Sequence, residues 1–137
     1  MAAEGVKKFA DAALQVPCTP ESFVRIWFEL LRIRHRLTTR EMDVAAALVK
    51  KWFILRESTT DDLVLNKTLF SKETKREICA DLGITEAHFR TVFQQLKING
   101  IVENGRLNPQ YIPKYKKGTP FRLVFIISDA GGIRKDN

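Results

Sequence analysis

The segment from Ser71 to Gly105 constrains the fold of this chain more than any other part of it. Ser71 can cap a helix, and Gly83 stands where a left-handed residue would end that helix and open a tight turn. Thr85 can cap a second helix directly afterwards. Asn104-Gly105 is then the strongest two-residue signal for a β-hairpin. The segment therefore predicts helix, turn, helix and hairpin, with Ile78, Cys79, Leu82, Phe89, Val92, Phe93 and Leu96 facing inward.

The face of the second helix opposite its apolar stripe carries Ala87, Arg90, Thr91, Gln94 and Lys97. Arginine can pair bidentately with guanine and glutamine with adenine, while a small alanine lets a helix enter a major groove closely. His88 flanks this face, within reach of phosphates. The candidate DNA-contacting residues of this helix are Thr85, Ala87, His88, Arg90, Thr91, Gln94 and Lys97. An ordinary solvated helix face is the alternative, and the helix alone does not decide between the two.

A basic stretch follows the hairpin signal, because the chain has no acidic residue between Glu103 and Asp129. Its cations can neutralise phosphates, which adds affinity and salt dependence. The candidate phosphate contacts are Arg106, Lys114, Lys116 and Lys117. The alternative is a loop that only serves solubility.

The N-terminal third favours helices. Apolar residues recur at helical spacing in the first sixteen residues, up to the stop at Pro17. Thr19 and Pro20 are typical of a second helix start, although residues 22–33 also alternate as a strand would. Thr38 with Glu41 forms a capping box and predicts a helix from there.

Three further segments complete the chain. Residues 57–62 form a polar acidic connection, after which residues 63–70 resume a buried pattern as a short helix or an extended segment. The apolar run 121–127 predicts a strand that pairs with the hairpin strands or with an N-terminal segment. Residues 129–137 form a polar tail.

Composition narrows the function classes. Lys and Arg outnumber Asp and Glu by 23 to 16, so the formal charge of +7 favours a polyanionic partner. The two cysteines, Cys18 and Cys79, lack the spacing of a metal site or disulfide framework, which indicates a reducing, intracellular setting. No catalytic motif and no apolar run long enough to span a bilayer occurs. We therefore expect a non-enzymatic, cytoplasmic protein without a metal, cofactor or membrane partner.

These residues resemble the winged helix-turn-helix DNA-binding superfamily. The segment LKINGIVENGRLNPQYIPKYKKG is similar to the end of small phage and plasmid replication-initiator winged helices. The resemblance implies a mainly α fold with a small β-sheet (α+β), in which a winged helix-turn-helix spans residues 38–128. Residues 1–37 would form an N-terminal helical extension. It also implies a recognition helix at about residues 86–98 and a wing at about 101–107.

The resulting expectation is a protein that binds double-stranded DNA by sequence or by structure, as a transcriptional regulator or a replication accessory of phage or plasmid type. A possible homodimer would contact two half-sites. The alternative is a structural or protein-interaction module of a larger assembly such as a virion, because a fold does not fix a function. If a phage encodes the chain, its location would be the host cytoplasm or the virion.

Overall fold

Helices dominate the part of the chain that the computed structural model describes, namely residues 14–124, 126, 127 and 129. The described elements are α1 (Pro20–His35), α2 (Thr39–Ser58), α3 (Asp62–Leu69), α4 (Lys72–Leu82), α5 (Glu86–Ile98), β1 (Val102–Glu103), β2 (Arg106–Leu107) and a 3-10 turn (Pro109–Tyr111). A mainly helical fold with a small antiparallel sheet is thereby confirmed. The helix expected in the first sixteen residues falls almost wholly outside the described residues, as does most of the tail.

Local capping determines where α1 and α2 begin. The Thr19 side chain accepts a hydrogen bond from the Ser22 amide at 3.2 Å, and the Thr19 amide donates to Ser22 Oγ at 2.9 Å. Thr38 and Glu41 make the same reciprocal pair at 3.2 and 3.0 Å. Each pair satisfies two amides that the first turn of a helix leaves without partners. Residues 22–33 are therefore helical, and the strand alternative is wrong.

The core is built on α2 and includes side chains from α1. Val24, Phe28 and Leu37 are buried in the same cluster as the inward residues of α2, α4 and α5. Phe28 has no exposed surface. The expected division between residues 37 and 38 thus falls within one shared core.

The turn between α4 and α5 depends on Gly83, whose φ of 67° lies in the left-handed region. The amides of Gly83 and Ile84 both donate to the carbonyl of Cys79, which closes the end of α4. Thr85 then caps α5 by accepting from the His88 amide at 3.0 Å. The predicted order of helix, tight turn and helix is confirmed.

The hairpin turns at Asn104 and Gly105, whose φ values of 55° and 72° are those of the two central residues in a type I′ turn. Val102 pairs with Leu107 across the two strands. The outer edge of β2 is covered by α3, because the Leu107 amide donates to Asn66 Oδ1 at 3.2 Å. Residues 63–70, whose type the sequence left open, thus form most of a helix that supports the sheet.

The chain after the hairpin returns over α1 and α2. Trp27 Nε1 donates to the carbonyl of Tyr111 at 2.8 Å, and the Phe121 ring lies 4.9 Å from the Phe23 ring. The described residues of the run 121–127 form no strand, so the predicted strand is wrong there. The hairpin strands are only two residues long, and Asn66 already occupies the β2 edge. Aromatic packing fixes the start of this run in place of a strand partner.

Candidate nucleic-acid interface

The outward face of α5 presents the residues that the sequence singled out. Ala87, Arg90, Thr91, Gln94 and Lys97 are all exposed, as are Thr85 and His88 at the start of the helix. The opposite face buries Phe89, Val92 and Leu96 against the core. Burial of one stripe fixes the rotation of the helix, so the polar stripe must face solvent.

Contacts within α5 divide these residues into engaged and free groups. The Thr91 hydroxyl donates to the carbonyl of Ala87 at 3.2 Å, and the Lys97 ammonium lies 5.3 Å from the centre of the Phe93 ring. Among the residues that the structure describes, Arg90 and Gln94 make no side-chain hydrogen bond or ion pair. These two side chains are therefore available to an external partner.

The hairpin adds one cation whose charge is partly balanced. Arg106 stands directly opposite Glu103 in the two-stranded sheet, and both side chains are exposed. Opposite charges at such a cross-strand position attract each other. Arg106 therefore contributes less to the local positive potential than an isolated arginine would.

The basic loop, defined as residues 114–117, is anchored through its one aromatic residue. The Tyr115 ring lies 5.2 Å from the rings of both Phe23 on α1 and Phe53 on α2. Lys114, Lys116 and Lys117 are exposed around it. The Thr119 amide donates to the carbonyl of Lys116 at 3.1 Å across a turn in which Gly118 has a φ of 78°. The lysines are thus presented by an anchored loop.

The basic loop and α5 lie on different sides of α2. Leu48 on α2 borders a groove that Arg90 also lines, whereas Phe53 on α2 contacts Tyr115. These two α2 residues are five positions apart, so their side chains diverge by about 140° around the helix axis. The groove beside Arg90 and the ring of Tyr115 thus meet different sides of α2.

Two cations near Arg90 were not among the residues predicted from the sequence. Lys72 and Lys75 stand one turn apart at the start of α4 and line the same groove as Arg90. The spacing of these two lysines indicates that they share one face of α4. The local sequence does not show that α5 packs beside that face. Their position is a consequence of tertiary packing.

Among the described residues, two titratable groups have shifted pKa values, and one of them, Cys79, lies behind the start of α5, where its thiol donates to the carbonyl of Thr85 at 3.9 Å. Burial, assisted by the nearby Arg34 charge, lowers the pKa of His35. Burial also raises the pKa of the Cys79 thiol, with a further contribution from Glu86. Across the described part of the chain, His, Cys, Asp and Glu form no group of three that could hold a metal ion.

Comparisons of this chain with protein-family models, with curated proteins and with solved structures find no match. Over the described residues, every helix is too short or too polar to cross a bilayer.

Proposed function

We propose that this protein is a winged helix-turn-helix that binds double-stranded DNA by inserting α5 into the major groove. The observation that carries the proposal is the exposed polar face of α5, on which Arg90 and Gln94 have no partner among the described residues. Both residue types read base edges bidentately, and Ala87 leaves room for close approach. α5 is held in place by the capped turn before it and the hairpin after it, as a reading helix requires.

The hairpin and the basic loop would act on the phosphate backbone. Arg106 is the first residue of β2, directly after the hairpin turn. In a winged helix this turn is the part of the wing that would meet the phosphate backbone. Because the basic loop lies on another side of α2, we expect its lysines to attract DNA at longer range without discriminating bases. Their contribution should be uniform across sequences and strongly salt-dependent.

The test is a fluorescence anisotropy titration of short duplexes, after selection of a preferred sequence from a random pool, at several salt concentrations. Arg90→Ala should cost about 1–3 kcal/mol on the preferred duplex and relax its preference, since the guanine contact is lost. Lys116→Ala should weaken binding to all duplexes alike.

Arg34→Ala is the matched control, because it removes the same charge from an exposed position on α1. Both variants remove one unit of positive charge, so long-range attraction falls equally. If Arg90→Ala and Arg34→Ala lose the same affinity on every duplex, α5 does not read bases.

A module of a larger assembly such as a virion is the second candidate. Four large apolar side chains near the C-terminal end of the described chain are exposed, namely Leu123, Val124, Ile126 and Ile127. Contiguous exposed apolar surface is typical of an interaction site. No DNA binding even at low salt, together with a stable oligomer or partner complex, would favour this function.

A further inference from the structure

A groove with an apolar floor lies where the end of α3 and the start of α4 meet α5. Its volume is about 150 Å³. Leu48, Leu69, Phe89 and Phe93 line it, and Phe70 packs edge-on against Phe93 with 5.6 Å between the ring centres. A space of this size and lining suits one large apolar side chain, which would gain by leaving water.

The rim of the groove is positive. Lys72, Lys75 and Arg90 border it, and none of their side chains forms an ion pair or hydrogen bond among the described residues. Cations beside an apolar pocket favour an occupant in which carboxylates flank the apolar side chain. The groove is therefore complementary to an acidic segment with one exposed hydrophobic residue.

The first turn of α3 is such a segment. Asp61 and Asp62 directly precede Leu63 and Val64, and all four residues are exposed. Leu63 is 85% and Val64 51% exposed, which is unfavourable in water for two adjacent apolar side chains. Asp62 pairs with Arg56, whereas Asp61 caps α3 and forms no ion pair among the described residues, so Asp61 carries the uncompensated negative charge of this turn.

The positions of this turn and of the groove permit reciprocal contact between two copies. Leu63 is in the first turn of α3 and Phe70 directly follows its last residue, seven positions later, so by helical geometry they lie on nearly the same side and about 10 Å apart. A two-fold axis passing between them would place Leu63 of each copy over the groove of the other. Such an interface closes on itself and gives a dimer.

We propose that two copies of this chain associate in this way, with Leu63 of each copy seated in the groove of the other. Asp61 of one copy then faces Lys72 and Lys75 of the other. The inference does not depend on DNA binding, and its tests contain no DNA. Arg90 borders the groove, so the same side chain would serve either association or DNA at a given moment.

Sedimentation equilibrium over a range of protein concentrations measures the association. The parent should reach twice the chain mass of 15.7 kDa. Leu63→Ser should raise the dimer dissociation constant about 100-fold, because each of the two insertions is worth roughly tenfold. Leu14→Ser removes a similarly exposed leucine that lies before α1 and should associate like the parent.

A mixing experiment tests the reciprocal geometry. A variant with Lys72→Glu and Lys75→Glu has a groove that repels the acidic turn, but it keeps Leu63. Mixed with Leu63→Ser, it retains one intact insertion, so the mixture should associate at concentrations at which neither variant does alone.

Three results would overturn the proposal. The first is a parent that stays monomeric at every concentration, and the second is equal dissociation constants for the parent and Leu63→Ser. The third is a mixture that associates no more than its separate components. Circular dichroism of each variant shows that it is folded, which is expected because all the changes are at the surface.

Discussion

At the scale of single residues, His35 links stability to pH. It lies at the end of α1, where its Nε2 atom is buried and has no hydrogen-bond partner among the described residues, and its ring lies 5.0 Å from that of Tyr111, nearly perpendicular to it. Burial and the Arg34 charge both disfavour the protonated ring, so the folded-state pKa lies below the ordinary value of 6.5. Between the folded-state pKa and 6.5, His35 therefore stays neutral in the folded protein but is mostly protonated in the unfolded chain.

The consequence for stability has a definite sign. The unfolded state binds more protons than the folded state as pH falls through 6.5, so the free energy of unfolding decreases there until the folded-state pKa is also passed. We expect urea denaturation to show less stable protein at about pH 5.5 than at about pH 7.5, and His35→Phe to reduce that difference. His88→Ala, at an exposed position on α5, should retain the contribution of His35. A His35→Phe variant with the full pH dependence of the parent would assign the effect to other groups.

At the scale of elements, the end of α4 depends on one backbone conformation. Gly83 has a φ of 67°, and a Cβ atom added there would have no heavy atom within 4 Å apart from those of its own residue and its two chain neighbours. Substitution therefore costs conformational energy without steric collision. Gly83→Ala should lower the free energy of unfolding by about 1–2 kcal/mol, measured by urea denaturation.

Gly83→Asn is the matched comparison, because asparagine adopts the left-handed region more readily than alanine does. It should recover part of the lost stability despite its larger side chain. Equal losses for both variants would mean that crowding, and not backbone conformation, decides at this turn.

Helix starts, the turn and the hairpin were predictable because their causes are local in sequence. Thr38 and Glu41 are three residues apart, and Asn104 and Gly105 are adjacent, so the residues that determine each feature appear together.

The predicted strand at 121–127 is wrong because its structure depends on contacts that are distant in the sequence. Its composition favours a strand, but a strand needs a partner, and the structure offers Phe121 the rings of Phe23 and Trp27 instead. Those contacts join residues almost a hundred positions apart, so a short segment of the sequence does not reveal them.

The candidate site also has some features that the local sequence predicts and others that depend on tertiary packing. The exposed face of α5 follows from helical periodicity and was predicted residue by residue, whereas its use for reading DNA stays a prediction. The attachment of the basic loop to α1 and α2 through Tyr115 could not be predicted, because it depends on rings that are distant in the sequence. Charge in the sequence indicated a cationic protein, but only packing determines which cations share a surface.

At the scale of the whole molecule, α1 is part of the one core. Phe28 and Val24 are buried together with residues of α2 and α5, and Trp27 holds the chain segment that returns from the hairpin. If α1 were a separate extension, its side chains would not share a core with α2 and α5, and its loss would leave that core intact. We therefore expect residues 20–112 to unfold as one cooperative unit.

Phe28→Ala tests this expectation, because it removes a ring with no exposed surface and leaves a cavity between α1 and α2. The loss should be about 3–5 kcal/mol. Ile54→Ala removes an apolar side chain that is 59% exposed on α2 and should change stability by no more than about 0.5 kcal/mol.

Hydrogen exchange gives the decisive measurement, since the slowest amides of α5 should lose protection in Phe28→Ala by the same free energy as those of α1. If only α1 amides exchange faster while α5 keeps its protection, α1 opens independently, and residues 38–128 are a domain that stands without it.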